Sequence, residues 1–195
     1  MKNPSDLKMV APPNLFDLSP GNQAKLFAYF KNGVLIDSQI LALLAVGLSD
    51  TRNHTRYLGK MDWNASEYRL FCKFLEMFKI KKFVITPHTF TDFIHKLCER
   101  IGKSNATGLL EETKYFLGSP GVCELHIEKN HFFGKKLDYL GVSDWSVSIC
   151  SKIKEIDCVI CKNTKLRDQC QKEGKLSIDF ASDLVPFYWT TYKAE

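Results

Sequence analysis

The chain has no uninterrupted apolar stretch near the roughly 18 residues that a membrane-spanning helix needs. Its longest apolar runs, Ile40 to Leu48 and Phe83 to Ile85, are sized for a core, so no membrane association is expected. The opening residues Met1 to Asp6 are polar and lack the basic-then-apolar order of a secretory signal, so export by that route is not expected either. No glycine-rich phosphate loop of Walker or Rossmann type is present, which excludes enzymes built on those nucleotide cradles. There is no internal repeat and no low-complexity tract. A disulfide framework is missing too: the seven cysteines are odd in number, dispersed and set mostly among apolar residues, which suits reduced thiols in the cytoplasm. Cys158 and Cys161 form a C-x-x-C with no second close pair to complete a zinc ribbon. Their segment reads as a buried strand.

What is present is an ordinary globular balance, with 195 residues, 45% hydrophobic and 25% charged. A chain of this length buries roughly 70% of its unfolded surface, so a core forms without staples. Twenty-seven Lys and Arg against 22 Asp and Glu leave a net charge of +5, which permits a phosphate-rich partner without demanding one.

Residues Met1 to Gly21 hold four of the seven prolines and no sustained periodicity, and read as an irregular arm. Asn22 to Asn32 has helical spacing and Gly33 ends it. Val34-Leu35-Ile36-Asp37 is a brief strand closed by an acid, followed at once by an apolar helix from Ser38 to Gly47. Asp50 to Trp63 reads as a polar and aromatic loop, and Ser66 to Phe78 as a core helix with Ser66 as its cap. Phe83-Val84-Ile85-Thr86 repeats the strand pattern, with Pro87 opening a helix that runs to about Arg100. Further helices are expected over Thr107 to Phe116, Asp144 to Lys154 with Ser143 as cap, and Thr164 to Glu173. Further strands are expected over Glu124 to Ile127, Ile156 to Cys161 and Lys175 to Phe180. This alternation predicts an α/β fold with a mostly parallel sheet flanked by helices. In such sheets chemistry collects beyond the carboxyl ends of the strands.

Several acids belong to that edge. Asp37 ends the first strand, Asp92 lies about a turn and a half into the helix after the second, and Asp144 opens a later helix. Three carboxylates from three distant segments can converge on a hard divalent cation. One or two such ions, about 4 Å apart when paired, support phosphodiester hydrolysis by positioning water and neutralising the leaving oxygen. Taken singly, each acid also has a plain structural role at a helix start or strand end.

The segments Val34-Leu35-Ile36-Asp37-Ser38, Val84-Ile85-Thr86-Pro87-His88-Thr89-Phe90-Thr91-Asp92, Leu140-Gly141-Val142-Ser143-Asp144 and Val159-Ile160-Cys161-Lys162-Asn163-Thr164-Lys165-Leu166 together resemble the successive motifs of PIN-domain ribonucleases. The likeness covers roughly Gly33 to Phe180, and its specificity lies in the order of the four segments. It implies a three-layer αβα sandwich over 33–182, between an N-terminal arm and short helix over 1–32 and a C-terminal tail over 183–195. It also implies a Mg²⁺ or Mn²⁺ site built on Asp37, Asp92 and Asp144. Asn163 stands in a supporting catalytic place where the family often has Asp, and Gln39 stands where Asn is usual. The function implied is metal-dependent endoribonuclease, with RNA as substrate. An antitoxin or other inhibitor protein is a candidate partner if the chain is the toxin of a toxin–antitoxin pair, and a homodimer is a candidate assembly.

The stretch Cys150 to Lys175 carries an excess of bases, and Lys162, Lys165 and Arg167 are its candidate RNA contacts. Few aromatics accompany them, so no stacking platform is expected. His88, next to Pro87 near the same edge, is a fourth candidate for a substrate phosphate. The competing function is a PIN-like RNA- or protein-binding module with weakened catalysis, a reading that Asn163 favours because a neutral amide supplies no anion to hold a metal.

Overall fold

A computed structural model describes residues 19–49, 54–132, 140–153, 155–156 and 158–187. Most of the expected N-terminal arm and the end of the expected tail lie outside them. The first described helix, α1 (Pro20–Lys31), starts with Pro in its first turn and leads through Gly33, at φ 114°, into strand β1 (Val34–Ile36). Asp37 then caps α2 (Ser38–Leu48), whose residues from Ile40 to Gly47 are all buried. A helix apolar on every side belongs at the centre of a core, which is where α2 lies.

Two helices follow, α3 (His54–Lys60) and α4 (Ala65–Met77). The first stands within the segment read from sequence as a loop. The second is capped by Asn64 rather than Ser66: the Asn64 side chain accepts from Ser66 N and Glu67 N, and Glu67 reaches back to Asn64 N, a complete capping box. Gly47 makes the close approach of α4 to α2 possible, since a Cβ at that position would lie 2.1 Å from the Tyr68 ring.

Strand β2 (Phe83–Ile85) feeds α5 (Pro87–Ile101), where Thr86 accepts from Thr89 N and Phe93, Leu97 and Ile101 form the buried stripe. Gly102 separates α5 from α6 (Lys103–Leu117). Strand β3 (Val122–Glu124) begins two residues before the expected Glu124 to Ile127, because its register is set by pairing Phe83 with Val122 and Ile85 with Glu124. The chain then forms α7 (Val142–Ser151), β4 (Cys158–Cys161), α8 (Thr164–Lys172) and β5 (Leu176–Asp179), which a π turn at Phe180–Leu184 follows. Gly141, not Ser143, occupies the cap of α7. Ser143 is drawn into the first turn, and among the described residues its buried Oγ finds no hydrogen-bond partner.

The five strands are parallel in the order β3-β2-β1-β4-β5. The fold is a three-layer αβα sandwich. Alternate strand residues serve its two faces: Val34, Ile36, Ile85, Cys158 and Ile160 join the large core under α1, α2, α4, α5 and α6. Leu35, Val84, Val159 and Cys161 join a smaller one under α7 and α8. Cys158 and Cys161 thus point to opposite faces, and no disulfide joins any of the seven cysteines. No described helix is long and apolar enough to cross a membrane. The chain grows outward from β1 to β3, then returns to place β4 on the other side of β1. The β1–β4 seam is therefore the switch point of the sheet, the place beyond the carboxyl ends of the strands where such folds bind ligands.

Candidate active site

Asp37 stands at that seam. It is 2% exposed, and its two carboxylate oxygens accept from Ile40 N and Lys162 N, each at 2.8 Å. The second bond joins the ends of β1 and β4 across 125 positions of sequence. Burial pushes the Asp37 carboxyl up to about 7 against the two backbone N–H donors that favour its ionised form, and the Asp144 charge adds to the rise.

Asp144 comes from the first turn of α7. Burial raises its carboxyl too, offset in part by the Asn163 amide, whose Nδ2 donates to Asp144 Oδ2 at 2.7 Å. Asn163 has a second task. Its Oδ1 caps α8 by accepting from Lys165 N and Leu166 N, so the amide oxygen faces the helix and only the nitrogen faces the acid.

Asp92, on α5, is held by its own helix and by α2. Lys96 Nζ donates to Asp92 Oδ2 at 2.8 Å, and Ser38 Oγ donates to the same oxygen. The Asp92 charge in turn raises Asp144. A buried hydroxyl network fixes the two helices that carry these acids: Thr86 Oγ1, at the cap of α5, lies 2.6 Å from Ser146 Oγ of α7, which donates to Ser143 O. Beside the acids is a cleft of about 490 Å³, lined by His88, Thr91, Asp92, His95 and Lys96 of α5 and by Gly141 to Asp144.

The structure therefore brings Asp37, Asp92, Asp144 and Asn163 to one place and puts His88 on the wall of the adjoining cleft. The other base candidates are distributed differently. Lys162 Nζ donates to Asp62 O at 2.6 Å and sits 3.6 Å from the centre of the Trp63 ring, whose Nε1 donates to Gln39 O. Lys165 is exposed at the start of α8. Arg167 turns to the end of the sheet, where it contacts Asp168, Ser182 and Asp183.

The motif pattern assigns no role to Lys96, Ser38 or Asp179. Lys96 supplies the counter-charge of Asp92 and Ser38 a hydroxyl donor to it, and only the i,i+4 spacing of Asp92 and Lys96 announces the pair in the sequence. Asp179, 2% exposed, ends β5 as Asp37 ends β1, and accepts from Ser182 N and Ser182 Oγ. It pairs in register with Cys161, whose thiol is pushed well up by burial and by the charges of Asp37 and Asp179.

Among the described residues no three His, Cys, Asp or Glu side chains are grouped so as to hold a metal ion. The donor chemistry nevertheless fits Mg²⁺ or Mn²⁺: the three acids offer hard oxygens, and they repel one another. The cation now beside them is the Lys96 ammonium. No family model matches the chain, and no curated protein and no solved structure matches it.

Proposed function

We propose that this protein is a metal-dependent endoribonuclease, with Asp37, Asp92 and Asp144 holding Mg²⁺ or Mn²⁺. The observation that carries the reading is the meeting, at the switch point of a parallel sheet, of three carboxylates from elements far apart in the chain. Gathering like charges around a buried carboxylate is unfavourable, and a fold retains such a cluster where a cation or a substrate repays it. A hard ion bound there would activate water and neutralise the leaving oxygen of a phosphodiester.

The residues of the chain would do the rest. Asp37 is fixed in orientation by two backbone donors, so it presents its carboxylate without reorganisation. Asn163 orients Asp144 through Nδ2. His88 lines the cleft through which a phosphate would reach the acids, and Lys165 adds charge near the same seam. A toxin held in check by an antitoxin is one setting for such an enzyme, acting in the cytoplasm, where the cysteine thiols would stay reduced.

The second reading, a binding module of this fold with weakened catalysis, is favoured by one observation. Asp144 and Asp92 already have donors, the Asn163 amide and the Lys96 ammonium. RNA cleavage in Mn²⁺ separates the two. The folded wild type should cleave, whereas Asp37→Asn and Asp144→Asn should lose activity with unchanged circular dichroism. Undiminished cleavage by a folded Asp37→Asn protein would remove the assignment, and an inactive wild type that still binds RNA would establish the module.

A further inference from the structure

Lys96 follows Asp92 by one helical turn, and its ammonium is more constrained than that of an ordinary surface pair. It lies 2.8 Å from Asp92 Oδ2 and 3.1 Å from Ser38 Oγ, while Ser38, only 3% exposed, donates to the same Asp92 oxygen. One ammonium, one hydroxyl and one carboxylate thus close a triangle that joins α5 to the start of α2, next to Asp37. The Lys96 charge also favours the ionised forms of both Asp37 and Asp144. A single side chain therefore serves all three acids, which is the electrostatic work of a bound cation.

A divalent ion and an ammonium repel strongly at such range, so both cannot share Asp92. Lysine, unlike arginine, can give way readily: its charge is compact and sits on a flexible four-carbon stem. The cleft lined by His88, Thr91 and His95 adjoins the pair and offers the stem space to move.

We propose that Lys96 is a tethered cation that occupies the carboxylate site while no divalent ion is bound and leaves Asp92 when one enters. This rests on the metal-dependent reading above and adds a threshold to it. The site is closed by its own lysine at low metal concentration and opens only when the ion outcompetes the ammonium. The released ammonium stays tethered at the cleft wall, where an RNA phosphate is the nearest fitting anion.

The test is calorimetry with Mn²⁺ alone on the full chain, comparing wild type with Lys96→Met, Lys96→Arg and Lys114→Met. Lys96→Met should bind Mn²⁺ about ten- to a hundredfold more tightly, the expected gain from deleting a charge in contact with the ligand set. Lys96→Arg should show no gain. Lys114→Met removes the same charge from an exposed lysine of α6 paired with Glu111, and should change affinity by less than about twofold. The second measurement needs no variant: amine acylation of the wild type, read by mass spectrometry, should label Lys96 several-fold faster once Mn²⁺ is added. Equal Mn²⁺ affinity in wild type and Lys96→Met, or labelling of Lys96 that Mn²⁺ leaves unchanged, would overturn the role of Lys96 while leaving the nuclease reading intact. Absence of Mn²⁺ binding in every protein would overturn both.

Discussion

Replacing Asp37 by Asn tests the electrostatics of the site without reference to any substrate. The wild-type carboxyl is pushed from its ordinary 3.8 up to about 7 by burial, so the native state keeps a proton that the unfolded chain gives up. Stability must then fall as pH rises from about 4 to about 7, because only the unfolded state ionises freely there, and it levels off once both states are ionised. At 1.36 kcal/mol for each pH unit between the two values, the loss amounts to about 4 kcal/mol. Asn cannot titrate, so Asp37→Asn escapes it. The substitution carries its own penalty: the amide oxygen still caps Ile40 N, but the NH₂ group faces the N–H of Lys162, which loses its acceptor. A buried donor left unsatisfied costs about 1–3 kcal/mol. Asp37→Asn should therefore be less stable than wild type by about 1–3 kcal/mol near pH 4, and more stable by a similar amount near pH 8. Urea denaturation of both proteins in chelator across that range is the assay. Most other titrating groups are common to the two proteins and drop out of the difference. A stability difference that stays constant with pH would show that Asp37 titrates as an ordinary carboxyl, and would refute the argument.

Asn163→Asp replaces the donor that satisfies Asp144 with a second anion while keeping the cap of α8, so without metal it should lower stability at neutral pH by about 1–3 kcal/mol. Thermal melts should show the loss recovered on adding Mn²⁺, and a melt unchanged by the substitution would mean that the Nδ2 contact carries no weight. Gly47→Ala forces a methyl into the Tyr68 ring and should destabilise the fold by about 1–3 kcal/mol or more, measured by urea denaturation. Lys165→Glu should weaken RNA binding and reduce the slope of log affinity against log salt by about one or more, since an exposed cation open to a phosphate is replaced by an anion. Titrations at several salt concentrations decide it, and an unchanged slope would assign Lys165 to solvent.

Much of this architecture is readable without coordinates. Short apolar runs of strand length alternate with segments of helical period, and that suffices for a sheet flanked by helices, because neighbouring parallel strands need long crossovers. The acids were legible for a related reason: Asp37 and Asp144 stand where a strand ends or a helix begins, positions marked by local pattern. Boundaries that depend on pairing were less accessible. The start of β3 follows from its register with β2, and the caps at Asn64 and Gly141 follow from which backbone N–H groups the turn exposes.

The sequence by itself determined the alternation of strands with helices, the alternation of strand faces that separates Cys158 from Cys161, and the places of Asp37 and Asp144 at the ends of their elements, since each of these depends on periodicity or on neighbours a few residues away. Tertiary structure alone decided how the acids are satisfied. The bond from Lys162 N to Asp37, the Asn163 amide on Asp144 and the hydroxyl of Ser38 beside Lys96 and Asp92 join positions from 19 to 125 residues apart. No local pattern encodes such partners. They arise because the return of the chain from β3 to β4 puts the end of β4 against the end of β1, and because α5 and α7 are locked together through Thr86 and Ser146. The same folding that gathers the carboxylates brings Lys96 to them, because like charges brought close together are compensated by whatever the surrounding elements can supply.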